Sequence, residues 1–141
     1  LQAEMIGFIT SIDNGVRSLS LDESNTKHMR VRDKGMVQYD YSPALSDMQK
    51  AYELAPESPY IHYNLGNLYS LSSNFPEALH HYSKSIEIAP MIAEAYFNRG
   101  LVQIFLKDKE KGCADLSTAG ELGLGDAYSV IKKYCKKEGI Q

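Results

Sequence analysis

The side chains in this sequence with the clearest chemical potential are four histidines and two cysteines. Adjacent residues of a helix point about 100° apart, so His80 and His81 are not placed to share one metal ion. We expect both to lie on the outer face of a helix. Cys113 and Cys135 fit neither a disulfide framework nor a CxxC metal pair. We interpret them as free, largely buried thiols, with a single disulfide between them as the alternative.

Catalytic motifs are absent from the sequence. It contains no glycine-rich phosphate-binding loop, and no serine stands in the context of an activated nucleophile. We therefore predict a protein that is not an enzyme and that holds no metal and no cofactor. The net charge of −3 gives no sign of a basic nucleic-acid surface, and no stretch approaches the roughly 20 apolar residues of a membrane span. Neither nucleic acid nor a membrane is expected as a partner.

The elements that position these side chains are indicated by an internal repeat. Residues of one kind recur 34 positions apart in three pairs: Asn64 and Asn98, Gly66 and Gly100, and Pro56 and Pro90. Gly66 lies in a run with helical spacing, although glycine costs about 1 kcal/mol relative to alanine inside a helix. We infer that another helix approaches too closely there for a side chain. We expect Gly66 to face Ala78, and Gly100 to face Gly112.

The period and its residues resemble the tetratricopeptide repeat, a helix–turn–helix unit of about 34 residues. The residues that carry the resemblance are Leu65, Gly66, Tyr69, Ala78, Tyr82 and Pro90. His62 stands where the family usually has Trp, and we expect it in the core between repeats. The resemblance implies an all-α, right-handed solenoid of antiparallel helix pairs with a C-terminal capping helix. It also suggests a C-terminal fragment of a bacterial protein.

The repeat step predicts the organisation of the chain. The predicted units are the second helix of a truncated repeat over 1–24, a divergent repeat over 25–58, repeats over 59–92 and 93–124, and a capping helix with its tail over 125–141. The divergent repeat would begin with a helix over about 26–39. The predicted helix caps are Ser58, Asn74 in a capping box with Glu77, Asp108 and Asp126.

The resemblance places binding on the first helices of the repeats, which line a concave groove in this family. The candidate partner-binding residues are Tyr60, Tyr63, Asn64, Asn67, Glu94, Phe97, Asn98 and Leu101. Aromatic rings and side-chain amides on one helical face suit a peptide or a partner helix. Two alternatives stay open: the rings of Tyr63 and Phe97 pack against neighbouring first helices, or Asn64 and Asn98 hold the helix–helix turn.

The predicted function is a scaffold or adaptor that binds another protein or peptide in this groove. The alternative is a purely structural segment of a larger protein with no ligand of its own. The apolar N-terminal residues, read as a helix over about 4–20 without its partner, suggest a homodimer formed through that helix. The sequence does not identify the cellular compartment of the protein, although a cytoplasmic location is slightly favoured.

Overall fold

The computed structural model describes residues 29–31 and 37–136. Two short strands, β1 (Met29–Val31) and β2 (Val37–Tyr39), pair antiparallel, with Met29 opposite Tyr39. Six helices follow within the described part: α1 (Ser42–Leu54), α2 (Pro59–Leu71), α3 (Phe75–Ile88), α4 (Ala93–Phe105), α5 (Lys109–Glu121) and α6 (Asp126–Tyr134). The predicted all-α solenoid is confirmed, with the strand pair as an addition to it.

The strand pair replaces the helix that we expected over about 26–39. Val31, Val37 and Tyr39 belong to the residue types that favour strands. Gly35 lies between the two strand sequences and disfavours a helix through the whole stretch. The prediction of a first helix here is therefore wrong. The helix expected over 4–20 lies outside the described residues, and the division of the chain into repeats stays a prediction.

The starts of the helices depend more on proline than on side-chain caps. Proline occupies the first turn of α1, α2 and α3, where its missing N–H is not needed. The carboxylate of Asp108 accepts a hydrogen bond from the backbone N–H of Lys111 at 3.4 Å, which confirms that cap. Ser58 and Asn74 make no side-chain cap, and Asp126 is the first residue of α6 instead of its cap. Ser58 and Asn74 nevertheless occupy the predicted N-cap positions of α2 and α3, so only the prediction for Asp126 is wrong.

Three helices end in the same way, with a residue in the left-handed conformation just past the last turn. These residues are Ser73 after α2, Lys107 after α4 and Gly123 after α5, with φ of 61°, 68° and 106°. The next residue along, Asn74 for example, donates its N–H to a carbonyl five positions back. This hydrogen bond satisfies a carbonyl that the helix end would leave unpaired. The chain therefore reverses within a few residues, and successive helices pack side by side.

Two apolar clusters form the core of the described helices. The first is built on Ala78, Tyr82 and Val102 and joins α2, α3 and α4. The second joins α4, α5 and α6 through Leu101, Ile104, Leu116, Ala119, Ala127 and Val130. Each cluster contains helices from adjacent helix pairs. The stack is thus continuous from α2 to α6.

The glycines explain how closely the paired helices approach. A Cβ added at Gly100 would lie 2.9 Å from the carbonyl oxygen of Gly112, and one at Gly112 would lie 2.8 Å from that of Gly100. The predicted pairing of these two glycines is confirmed. A Cβ at Gly66 would instead meet the ring of Tyr82 at 2.5 Å. The Tyr82 ring supplies the nearest atoms to Gly66, and the expectation that Ala78 faces Gly66 stays a prediction.

Candidate partner-binding surface

The eight candidate groove residues differ widely in exposure. Tyr60, near the start of α2, is 66% exposed, and Glu94 near the start of α4 is also exposed. Tyr63, Asn64 and Phe97 are half-buried. Asn67, Asn98 and Leu101 are only 5%, 4% and 4% exposed. These last three do not present a surface to a partner.

The two buried asparagines belong to a hydrogen-bond network between α2, α3 and α4. The side-chain amide of Asn98 donates to Asn67 Oδ1 at 2.9 Å and to the Tyr63 hydroxyl at 3.2 Å. The Tyr82 hydroxyl donates to the same Asn67 oxygen at 2.7 Å. Ser70 lies 3.2 Å from the Tyr82 hydroxyl and donates to the carbonyl of Gly66 at 2.9 Å. Buried polar groups need such partners, and here they supply them to one another.

This network changes the assignment of the groove. Asn67 and Asn98 had been expected to reach a bound peptide, but their amides are engaged with Tyr63, Tyr82 and each other. Leu101 lies inside the second apolar cluster, behind the surface. We therefore revise the role of these three residues from contact to support. Asn98 links α4 to α2, the first helices of two successive pairs, so its role differs from the alternative in which it holds the turn between the helices of one repeat.

Tyr63 stands between the network and the surface. Its hydroxyl accepts from Asn98, and its ring lies 6.2 Å from that of Tyr82. Burial raises the pKa of the Tyr63 hydroxyl, and nearby Glu94 raises it further, against hydrogen bonds from Asn67 and Asn98. Burial likewise raises the pKa of Tyr82. Both phenols are therefore neutral hydrogen-bonding groups at physiological pH.

Two histidines meet where α1, α2 and α3 pack together. His62 is 4% exposed, as predicted for a residue in the core between repeats. His81 was expected on the outer face of α3, but it is 8% exposed and its Nδ1 lies 3.1 Å from Nδ1 of His62. Its ring stacks on Tyr69 at 5.5 Å. The outer-face prediction is wrong for His81 and correct for exposed His80.

The hydrogen bonds of this pair determine which nitrogens carry protons. Nε2 of His62 lies 2.8 Å from the carbonyl oxygen of Pro56, which can only accept, so this nitrogen carries a proton. A neutral His62 then has a bare Nδ1, and His81 donates to it. Burial lowers the pKa of His81 to about 4, and neighbouring His62 and His80 act in the same direction. His81 is therefore neutral at physiological pH.

An ion pair fixes α4 to α5 beside the glycine crossing. Nε and Nη2 of Arg99 donate to the two carboxylate oxygens of Asp115, each at 2.7 Å, and Nη1 reaches the Ser83 hydroxyl at 3.2 Å. Hydrogen bonding to Asp115 raises the pKa of Arg99. Arg99 occupies the position at which the preceding repeat has Leu65. The Arg99–Asp115 ion pair here takes the place of an apolar contact.

The two cysteines form a disulfide, Cys113–Cys135, with their Cα atoms 5.8 Å apart. Our interpretation of them as free thiols is wrong, and the alternative that we kept open is correct. The bond joins α5 to the residue that follows α6. Nearby, the ammonium group of Lys109 donates to the carbonyl oxygen of Lys136 at 3.1 Å.

Over residues 29–31 and 37–136, no group of three or more His, Cys, Asp or Glu side chains lies close enough to hold a metal ion. No helix among those described has the length and apolar character needed to cross a membrane. A cavity of about 210 Å³ near the start of α1 is lined by Asp40, Tyr41, Ser42, Leu45, Leu71, Ser72 and Ser73.

Comparison with known proteins agrees with the helix pairs. The family model described as "Tetratricopeptide repeat" matches residues 59–91, which are α2, α3 and the turn between them. Residues 59–91 are therefore similar to one tetratricopeptide repeat. Tetratricopeptide repeats generally mediate contacts between proteins.

Two relatives share this likeness over part of their length. The Photosystem I assembly protein Ycf3 of Acaryochloris marina (strain MBIC 11017) is 26% identical over 96 residues, or 66% of this chain and 58% of the relative. The UDP-N-acetylglucosamine--peptide N-acetylglucosaminyltransferase of Giardia intestinalis (strain ATCC 50803 / WB clone C6) is 33% identical over 79 residues, or 56% of this chain and 5% of that enzyme. The chain thus spans less than two thirds of either relative.

The predicted binding residues did not include one exposed aromatic ring that lies at a repeat position. Tyr128 in α6 is 56% exposed and stands at the repeat position of Tyr60 and Glu94, each 34 residues apart. The step of 34 could have identified it. The disulfide gave no comparable signal, because only the folded α5–α6 pair brings its two residues together.

Proposed function

We propose that this chain is a protein-interaction module that binds an extended peptide or a partner helix across the outward faces of α2 and α4. The observation that carries the proposal is Tyr60, an aromatic ring that is 66% exposed at the start of a first helix. Half-buried Tyr63 and Phe97 extend the aromatic surface, and Glu94 adds a negative charge. Large rings supply contact area at low cost in conformational entropy.

The buried network supports this role by holding the surface rigid. Tyr63 is tied through its hydroxyl to Asn98, and Asn98 is tied to Asn67. A side chain that is already fixed loses less freedom when a partner binds. We therefore assign the direct contacts to Tyr60, Tyr63, Asn64, Glu94 and Phe97. Asn67, Asn98 and Leu101 act behind them.

The negative charge of Glu94 determines which kind of peptide suits this surface. Glu94 is close enough to Tyr63 to influence its hydroxyl, and no salt bridge to Glu94 is present among residues 40–136. A carboxylate beside aromatic rings favours a peptide with Lys or Arg next to apolar residues. The two relatives are named for assembly of a protein complex and for action on a peptide, which suits a role in handling proteins.

The test is a selection of binding peptides against the full chain. Peptides of 12 residues from a random phage-displayed library would be enriched on the immobilised protein, and their affinities measured by fluorescence anisotropy. We expect enriched peptides to carry basic and apolar residues and to bind Tyr60→Ala at least tenfold more weakly. The matched control is His80→Ala, which removes an exposed ring from the outer face of α3.

Two results would contradict the proposal. Peptides that bind Tyr60→Ala, Glu94→Gln and the unmodified chain equally would show that this surface is not the binding site. Failure to enrich any sequence would favour the alternative of a purely structural segment. Circular dichroism of each variant would confirm that the helices are intact.

A further inference from the structure

The last helix of the described chain has little to hold it in place. α6 has nine residues, and a helix of this length is unstable by itself in water. It buries Ala127 and Val130 against the cluster that contains Leu116 and Ala119 of α5. Its other face is exposed and carries Lys132 and Lys133. Half-buried Ile131 and Tyr134 pack against the same cluster, so the packing of α6 depends on this one apolar stripe.

The disulfide lies at the free end of this helix. Cys135 directly follows the last residue of α6, and Cys113 lies in the second turn of α5. The opposite end of α6 is joined to α5 by a short loop that contains Gly123 and Gly125. With the bond intact, α6 is fastened at both ends. With the bond broken, the loop, the apolar stripe and the hydrogen bond from Lys109 to the carbonyl of Lys136 remain.

The surroundings of the disulfide favour its reduction. Both cysteines are half-buried and lie at the edge of the apolar cluster that joins α4, α5 and α6. Lys109 lies four residues before Cys113, on the same helical face, and its ammonium group reaches across to the carbonyl of Lys136, next to Cys135. Positive charges stabilise the thiolate, which both makes the reduced state more favourable and makes the thiol a better leaving group in exchange.

We propose that Cys113–Cys135 is a redox-controlled latch that fastens α6 to α5. A dithiol reductant attacks one of the two sulfurs and forms a mixed disulfide, which its second thiol then resolves. The Cys113–Cys135 bond breaks, the two cysteines take up two electrons and two protons, and the reductant becomes a disulfide. α6 then detaches from α5 and returns when the bond is re-formed.

Hydrogen exchange followed by mass spectrometry tests the latch on the full chain. The protein is compared before and after treatment with dithiothreitol, and the number of free thiols is counted by alkylation. After reduction we expect backbone amides of 127–134 to exchange at least tenfold faster, and those of α2 and α3 to change less than twofold. The double variant Cys113→Ala, Cys135→Ala should match the reduced protein with or without dithiothreitol.

Three results would overturn the proposal. Unchanged protection of 127–134 in the fully reduced chain would mean that the apolar stripe alone holds α6. A bond that resists a large excess of dithiothreitol in the folded protein would not be a switch. Equal loss of protection in α2, α3 and α6 would mean that the bond stabilises the whole fold and not the position of one helix.

The role of the lysines has a separate readout. We expect Lys109→Gln to slow reduction by dithiothreitol several-fold, because it removes a positive charge that lies one helical turn before Cys113 and reaches the carbonyl of Lys136, next to Cys135. The control is Lys84→Gln, because Lys84 is exposed and belongs to α3, a helix that contains neither cysteine. Equal reduction rates for Lys109→Gln and the control would remove the electrostatic part of the proposal.

Discussion

At the scale of single residues, side chains that look alike in the sequence have opposite roles in the fold. His80 is exposed, whereas adjacent His81 is buried against His62 and Tyr69. Asn64 is half-buried, whereas Asn98, one repeat later, is enclosed and bonded to Asn67. The period of 34 locates such residues but does not say which way a helix is rotated about its axis. That rotation decides which side chain meets solvent.

The glycine crossing gives a prediction at this scale. In Gly112→Ala the new methyl group would lie 2.8 Å from the carbonyl oxygen of Gly100, and backbone cannot move away cheaply. We expect a loss of about 1–3 kcal/mol in the free energy of unfolding, which exceeds the gain in helix propensity. Urea denaturation followed by circular dichroism measures it.

The control for this prediction is Gly125→Ala. A Cβ at Gly125 has nothing within 4 Å, so its cost should be small. If both variants unfolded at the same urea concentration, close helix contact would not be the reason for Gly112.

The histidine pair gives a prediction about pH. His81 has a pKa of about 4 in the folded chain, against an ordinary value near 6.5 when unfolded. Between these pH values the unfolded state binds more protons than the folded state. The contribution of His81 to the free energy of unfolding is therefore fully present above pH 6.5 and is lost as the pH falls towards 4. We expect His81→Asn, which keeps a hydrogen-bond donor, to flatten this part of the curve of unfolding free energy against pH. Equal slopes in His81→Asn and the unmodified chain, with His80→Asn as the reference, would count against the assignment.

At the scale of elements, each helix pair is held together by a different kind of contact. α2 and α3 meet through Gly66 and the ring of Tyr82, while α4 and α5 meet through two glycines and the Arg99–Asp115 pair. α5 and α6 are joined by a covalent bond. The repeat pattern predicted the helices and the Gly100–Gly112 crossing, since both follow from local spacing. It could not predict the disulfide or the Tyr82 contact, since those depend on how neighbouring helices are set against each other.

The ion pair between α4 and α5 should contribute more to the free energy of unfolding than an exposed ion pair. Asp115 is 7% exposed, so Arg99→Ala would leave a buried carboxylate without its partner. We expect a loss of about 2–4 kcal/mol in the free energy of unfolding, much of it recovered when Asp115→Ala is added. A double-mutant cycle in urea measures the coupling.

The exposed pair Lys84–Glu87, 3.7 Å apart on α3, is the matched control. Its coupling should be below about 1 kcal/mol. Similar coupling energies for the two pairs would show that the burial of Asp115 is unimportant.

At the scale of the whole molecule, the fold is a stack of helix pairs in which each pair contacts mainly its neighbours. Such stacks leave apolar faces at their ends, which must be covered. α6 covers one end of the described stack. The N-terminal sequence contains the apolar residues Met5, Ile6, Phe8, Ile9 and Ile12.

We therefore predict self-association of the full chain through these N-terminal residues. Light scattering over a range of concentrations should give a mass above that of the 15.8 kDa monomer, while a chain that starts at Ser24 should be monomeric. A full chain that stays monomeric at every concentration would contradict the prediction. Circular dichroism of the shorter chain would check that its helices are retained.

The left-handed residues at the helix ends have a consequence for protein engineering. Two of the three positions hold Ser73 and Lys107, although the conformation costs a residue with a side chain roughly 1 kcal/mol or more. Glycine at both positions would remove that cost without touching the aromatic surface or the disulfide. The resulting protein would melt several degrees higher and would tolerate destabilising substitutions on the proposed binding surface. These two turns are where a more robust scaffold could be made for dissecting recognition residue by residue.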